Sequence, residues 1–267
     1  MRTYAIGDIH GHLDLLKAAH ALIAADRAAT GDAGAPVVHV GDLVDRGPDS
    51  SGVIEYLLQG QAAGMPWVVL KGNHDQLFAR FMGDPADRDP RLRADLAWLH
   101  PRIGGGATLA SYGIHAPADR PLARVHAEAS EAVPPGHIGF LRTLPTWFLR
   151  GDALFVHAGV RPGIDLREQV DDDLLWIRHE FLDDTRDHGA LVVHGHTALS
   201  APTHYGNRLN LDSGAAYGGP LTAVVIEGRD VWHLTEAGRA RLDPPQRAAA
   251  AEPLAYRGAN LFTGIFR

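Results

Sequence analysis

Three short apolar runs, each ending in a glycine-bounded polar loop, constrain the fold of this chain more than anything else in it. They are TYAIGDIHG at 3–11, PVVHVGDLVDRG at 36–47 and PWVVLKGNHD at 66–75. The runs read as short strands, and LDLLKAAHALIAADRA and SGVIEYLLQGQAAG between them carry the apolar spacing of amphipathic helices. Strand, loop and helix therefore recur about every thirty residues, the length of a βαβ unit. Right-handed crossovers then bring all three loops to one edge of a sheet.

From Gln76 to about residue 135 the pattern changes to arginine-, proline- and alanine-rich helical stretches around RIGGGATLASYG, which read as a cap insertion. Strand character returns in WFLRGDALFVHAG, ALVVHGHT, RLNLDSGA and LTAVVIEGRDVWHL, with a helical piece around DDLLWIRHEFL. The expectation is an α/β chain with one catalytic domain over 1–245. Turn residues, low complexity and scattered apolar positions mark 246–267 as a C-terminal tail that docks weakly or on a partner.

Composition narrows the chemistry. The chain has no cysteine, so disulfides, zinc fingers, iron-sulfur clusters and thiol nucleophiles are excluded, and any metal must be held by nitrogen and oxygen. A net charge of -7 removes the broad electrostatic basis for nucleic-acid binding. No long apolar run suggests a membrane span, and cleavage of a leader would destroy GDIHG, so a cytoplasmic location is expected. Gly104-Gly105-Gly106 lacks the lysine and hydroxyl residue of a P-loop and reads as a cap turn near the substrate entrance. No Gly-x-Ser-x-Gly occurs either.

What the strand ends do carry is metal-ligating chemistry: Asp8 and His10, then Asp42, then Asn73 followed by His74, and later His157 and His196. Each fragment alone is as readily a polar turn. Together they supply more oxygen and nitrogen groups than one tetrahedral zinc requires, so two divalent ions sharing a carboxylate, with Asp42 as the natural bridge, is the economical reading.

GDIHG, GDLVDRG, GNHD, HAG and HGHT, in this order, resemble the signature of metallophosphoesterases. GDLVDRG at 41–47, WIRHE at 176–180 and LDSGA at 211–215 are similar to the phosphoprotein phosphatases of bacterial and phage type. The resemblance spans Gly7 to Ala215, with the cap and tail outside it. It implies two mixed β-sheets packed face to face, with helices outside and a dinuclear site at the strand ends. One ion would take Asp8, His10 and Asp42, the other Asp42, Asn73, His157 and His196. Manganese is the expected ion, with iron, zinc and cobalt also compatible. His194 departs from the pattern and reads as a strand-end residue rather than a ligand.

Phosphate-ester hydrolysis needs an activated water, neutralised phosphoryl oxygens and a proton for the leaving group. Arg46 offers a planar fork for paired phosphate oxygens. The family match makes Arg178 a second clamp, where residue type alone suggests a surface arginine. His74 reads as general acid, with Asp45 orienting its ring and raising its pKa. Asp75 and Asp212 read either as groups that orient ligands or as solvated turn carboxylates. The expected substrate is a phosphoprotein or phosphopeptide carrying phosphoserine or phosphothreonine. A symmetrical dinucleoside tetraphosphate is the nearer rival, and a non-catalytic phosphate-sensing scaffold the more distant one.

Overall fold

The three glycine-ended runs form neighbouring parallel strands, β1 (Arg2–Ile6), β2 (Val37–His39) and β3 (Trp67–Val69). Their register sets Ile6 opposite His39 and His39 opposite Val69, so the three loops leave the sheet at one level. This is a computed structural model and describes residues 1–244; the expected tail at 246–267 lies outside the described residues. Three antiparallel strands, β9 (Ala223–Glu227), β10 (Asp230–Thr235) and β11 (Gly238–Arg241), extend this sheet on the β1 side, giving the order β11-β10-β9-β1-β2-β3.

A second mixed sheet has the order β4-β5-β6-β8-β7. Its strands are β4 (Trp147–Arg150), β5 (Ala153–Val156), β6 (Leu191–His194), β7 (Thr203–His204) and β8 (Arg208–Asn210). Strands β5, β6 and β8 are parallel, whereas β4 and β7 pair antiparallel. The period-two alternation of side chains divides the core. Ala5, Val38, Phe155, Val193, Leu209 and Val224 meet between the two sheets. Tyr4, Ile6 and Val37 face the helices α1 (Leu13–Thr30) and α2 (Ser50–Ala62). Leu154, Val156 and Val192 pack against Leu174, Ile177 and Phe181 on the far side of the second sheet. The expected two-sheet α/β architecture is thus present. No helix among the described residues is long and apolar enough to cross a membrane.

Between β3 and β4 lie the helices α3 (Asn73–Phe81), α4 (Gly105–Ser111), α5 (Leu122–Ala132) and α6 (Pro135–Thr143). Trp98 packs between Phe78 and Phe81, with ring centroids 5.1 and 4.6 Å away. Leu96, Ile103, Leu109, Val125 and Leu141 join the same apolar cluster as α1 and α2, so the cap is continuous with the helical layer of the first sheet. Two expectations shift in detail. GNHD is not a free loop but the first turn of α3, since the Asp75 carboxylate accepts from Gly72 N–H at 2.8 Å and satisfies an otherwise unpaired helix-start donor. DDLLWIRHEFL is two helices, α7 (Asp171–Trp176) and α8 (His179–Leu182), broken at Ile177 and Arg178.

Candidate active site

All the candidate ligands converge at the C-terminal ends of β1, β2, β3, β5 and β6, and all are buried. The loops reach one another because glycine lets them. Gly41 has φ +98°, and a Cβ there would lie 2.6 Å from Gly72 N, so a side chain at that position would wedge the Asp42 and Asn73 loops apart.

Second nitrogens fix the histidines. His10 Nδ1 donates to Val44 O at 2.9 Å and His157 Nδ1 to Val40 O at 3.0 Å, which turns the Nε2 lone pair of each toward the centre. The oxygens of Asp42 divide between two groups: Oδ2 is 3.4 Å from His10 Nε2 and Oδ1 is 3.3 Å from His157 Nε2. Asn73 Oδ1 is 2.8 Å from His157 Nε2 and 2.9 Å from His196 Nδ1, and those two nitrogens are 3.1 Å apart. His10, Asp42 and His74 form one set of mutually close ligand atoms, and Asp42, His157 and His196 another.

The residues fit divalent cations. Asp8 Oδ1 is buried without a protein partner, while Oδ2 accepts from His196 N–H at 2.9 Å. Burial, and then the nearby Asp212 and Asp42 carboxylates, push the Asp8 pKa well above the usual carboxylate range. Crowded, desolvated carboxylates facing imidazole lone pairs are what a cation relieves.

Around these groups sit the remaining candidates. His74 Nδ1 lies 2.7 Å from Asp45 Oδ2, and its Nε2 is 2.9 Å from Arg46 Nη2. Arg46 Nη1 lies 2.8 Å from His10 Nε2. Arg178, at the break between α7 and α8, donates to Thr197 Oγ1 at 3.0 Å and His196 O at 3.3 Å, on the HGHT loop. Burial lowers its pKa to about 10, which leaves it cationic at neutral pH. Asp75 is no solvated turn residue: it also accepts from Leu43 N–H at 2.9 Å, pinning the residue after Asp42. Asp212 is buried and accepts from Gly214 N–H at 3.0 Å, and desolvation raises it to about 6. His194 points away from the cluster, with Nδ1 3.0 Å from Gly195 O and the ring edge-on to Phe181.

Two features lie outside the reach of sequence. Asp45 accepts from Thr108 Oγ1 at 2.7 Å and from Trp98 Nε1 at 3.0 Å, both from the cap. The expected raising of His74 by Asp45 is also outweighed: burial first, and Arg46 next, lower His74 to about 3, while burial raises Asp45 to about 8. Backbone strain marks the same residues. His10, Asp42, Asp45, Arg46 and His196 all have φ between +46° and +73°, and among the described non-glycine residues only Ala116 joins them in that region. Such residues cost on the order of 1–3 kcal/mol each and persist where the surrounding structure overdetermines them.

The family model for calcineurin-like phosphoesterases matches residues 1–226. The chain is 27% identical over 206 residues to the bis(5'-nucleosyl)-tetraphosphatase PrpE [asymmetrical] of Anoxybacillus flavithermus, covering 72% of this chain and 75% of that protein. It superposes with TM-score 0.56 and 22% identity on a solved structure named "putative diadenosine tetraphosphatase", over 91% of this chain and 94% of the other. A cold-active protein-tyrosine phosphatase of a psychrophilic Shewanella species gives TM-score 0.56 at 18% identity, over 91% and 80% of the two chains.

Proposed function

The chain belongs to the calcineurin-like phosphoesterase family, and from that premise we propose that it hydrolyses a bis(5'-nucleosyl) polyphosphate at a site for two divalent cations. The observation that carries the dinuclear reading is Asp42, which turns one oxygen toward His10 and the other toward His157. Asp8, His10 and Asp42 would hold one ion and Asp42, Asn73, His157 and His196 the other, with manganese the proposed ion. When bound, such cations lower the pKa of water toward neutrality and offset charge on the phosphoryl oxygens.

The chain's own groups do the rest. Arg46 and Arg178 bind phosphoryl oxygens through their planar forks, and Arg46 leaves both His10 and His74 to do so, which frees His74 Nε2 from its guanidinium donor. His74 holds a proton at Nε2 for the leaving oxygen, while Asp45 fixes its Nδ1 side. Asp75 keeps the Asp42 loop in place through Leu43 N–H, and Asp212 fixes its own turn through Gly214 N–H.

The substrate choice is supported by the similarity to PrpE. A phosphoprotein is the second reading, favoured by GDLVDRG, WIRHE and LDSGA and by the position of Arg178 on the HGHT loop. Turnover of diadenosine tetraphosphate and of phosphoseryl and phosphotyrosyl peptides, measured side by side across a manganese titration, separates them. The expected result is a kcat/KM at least about tenfold higher for the dinucleotide. The reverse preference would establish the phosphoprotein reading.

A further inference from the structure

Beside Arg46 opens a cavity of about 590 Å³ that none of the proposed ligands enters. Its size falls within the range of roughly 300–1,000 Å³ usual for small-molecule sites. One wall comes from the cap, the other from Ala216 and Tyr217, just past LDSGA. The wall surface is mostly apolar, and Gly106, Ala107, Ala116 and Ala216 put little more than backbone and methyl groups on it. Its charged members are two guanidiniums, Arg46 and Arg102, and no carboxylate lines it.

The cavity is built into the site. Gly104, with φ +97°, brings the cap against the catalytic loop so closely that a Cβ there would lie 2.6 Å from Arg46 Cγ and 2.7 Å from Arg46 N. Gly104 O accepts from Arg46 N–H at 3.2 Å. The Arg46 guanidinium lies over the Tyr217 ring at 5.3 Å. A group in the cavity is thus one side chain away from the ligand cluster.

We propose that this cavity is the leaving-group pocket and that it takes the nucleoside end of a polyphosphate, an inference that rests on the substrate reading above. Apolar walls of small side chains, with the Tyr217 ring among them, suit the faces of a base. Two guanidiniums with no facing carboxylate suit a chain of phosphates that runs from Arg102 to the reacting phosphoryl group at Arg46. A lone phosphotyrosyl ring would need less volume and would leave Arg102 without an anion.

The test uses Gly106→Phe and Ala216→Phe, which fill the pocket from opposite walls. Outside its own helix, a Cβ at 106 meets only Pro117 Cγ within 4 Å, at 3.5 Å. AMP binding by titration calorimetry is measured for the wild type and both variants, alongside kcat and KM for diadenosine tetraphosphate and for inorganic tripolyphosphate, which has no base. Thermal unfolding reports whether each variant folds, and with two independent walls one folded variant suffices; Ala107→Leu, on the cap wall, serves if neither folds.

Expected are AMP binding that weakens about tenfold or more in the variants and a fall of that size in the dinucleotide-to-tripolyphosphate ratio of kcat/KM, carried by KM. Equal losses on both substrates, or AMP binding that is absent or unchanged by filling, would overturn the pocket. A phosphotyrosyl peptide that loses affinity on filling while AMP does not bind would overturn the nucleoside occupant. Should AMP bind as expected while the dinucleotide is not hydrolysed, the pocket stands and the substrate reading alone fails.

Discussion

The loops that end β1, β2 and β6 hold their side chains by strained backbone, whereas the cap over them holds its own by apolar packing. In the loops, His10, Asp42, Asp45, Arg46 and His196 sit at positive φ, and the contacts are hydrogen bonds between polar groups a few residues from glycine. In the cap, Trp98 is stacked on Phe78 and packed at a tilt against Phe81, and Leu96, Ile103 and Leu109 merge with the core of α1 and α2. The two regions meet at Asp45, whose carboxylate takes donors from Trp98 and Thr108 and faces His74 on its other side. The difference teaches a division of labour: the loops fix which polar side chains face one another, and the cap fixes the orientation of the His74–Asp45 pair and the walls beside Arg46.

Breaking the loop side without touching the cap should give the larger effect. His74→Asn is expected to lower kcat by about 10² to 10⁴, toward the smaller value because a polyphosphate leaving group is a weaker base than an alkoxide. Metal content should hold. A parallel loss of metal would make His74 a ligand, as its closeness to His10 and Asp42 allows.

Breaking the cap side should cost stability more than rate. Thr108→Val removes a donor to Asp45 and leaves Asp45 N–H, now 2.8 Å from the hydroxyl, with only Ser50 Oγ at 3.2 Å. The expected loss is about 1–3 kcal/mol in chemical denaturation. The accompanying fall in kcat should be smaller than that of His74→Asn; a larger fall would move the catalytic weight from loop to cap.

The same division explains what sequence could disclose. The ligand loops are local: strand, glycine and polar group adjoin one another, so Asp8, His10, Asp42 and Asn73 can be read where they stand, and parallel pairing brings them level. Trp98 and Thr108 reach Asp45 across 53 and 63 residues, and nothing in the spacing of the cap announces that contact. The helical start of GNHD carried a readable signal, an acid at the third helical position after a glycine. Strands β7 and β11 did not: one is two residues long, and the other, GRAR, is a charged edge without apolar alternation. The lowered pKa of His74 is not legible in the motif, where charge proximity shows and burial does not.

Asp42 is proposed to join two cation sites into one, and metal stoichiometry tests that most directly. Purified protein equilibrated with manganese and freed of excess should hold about two ions per chain, and Asp42→Asn about one or none, with turnover lost. A single ion in the wild type, or an Asp42→Asn variant that keeps both ions and full turnover, would contradict it.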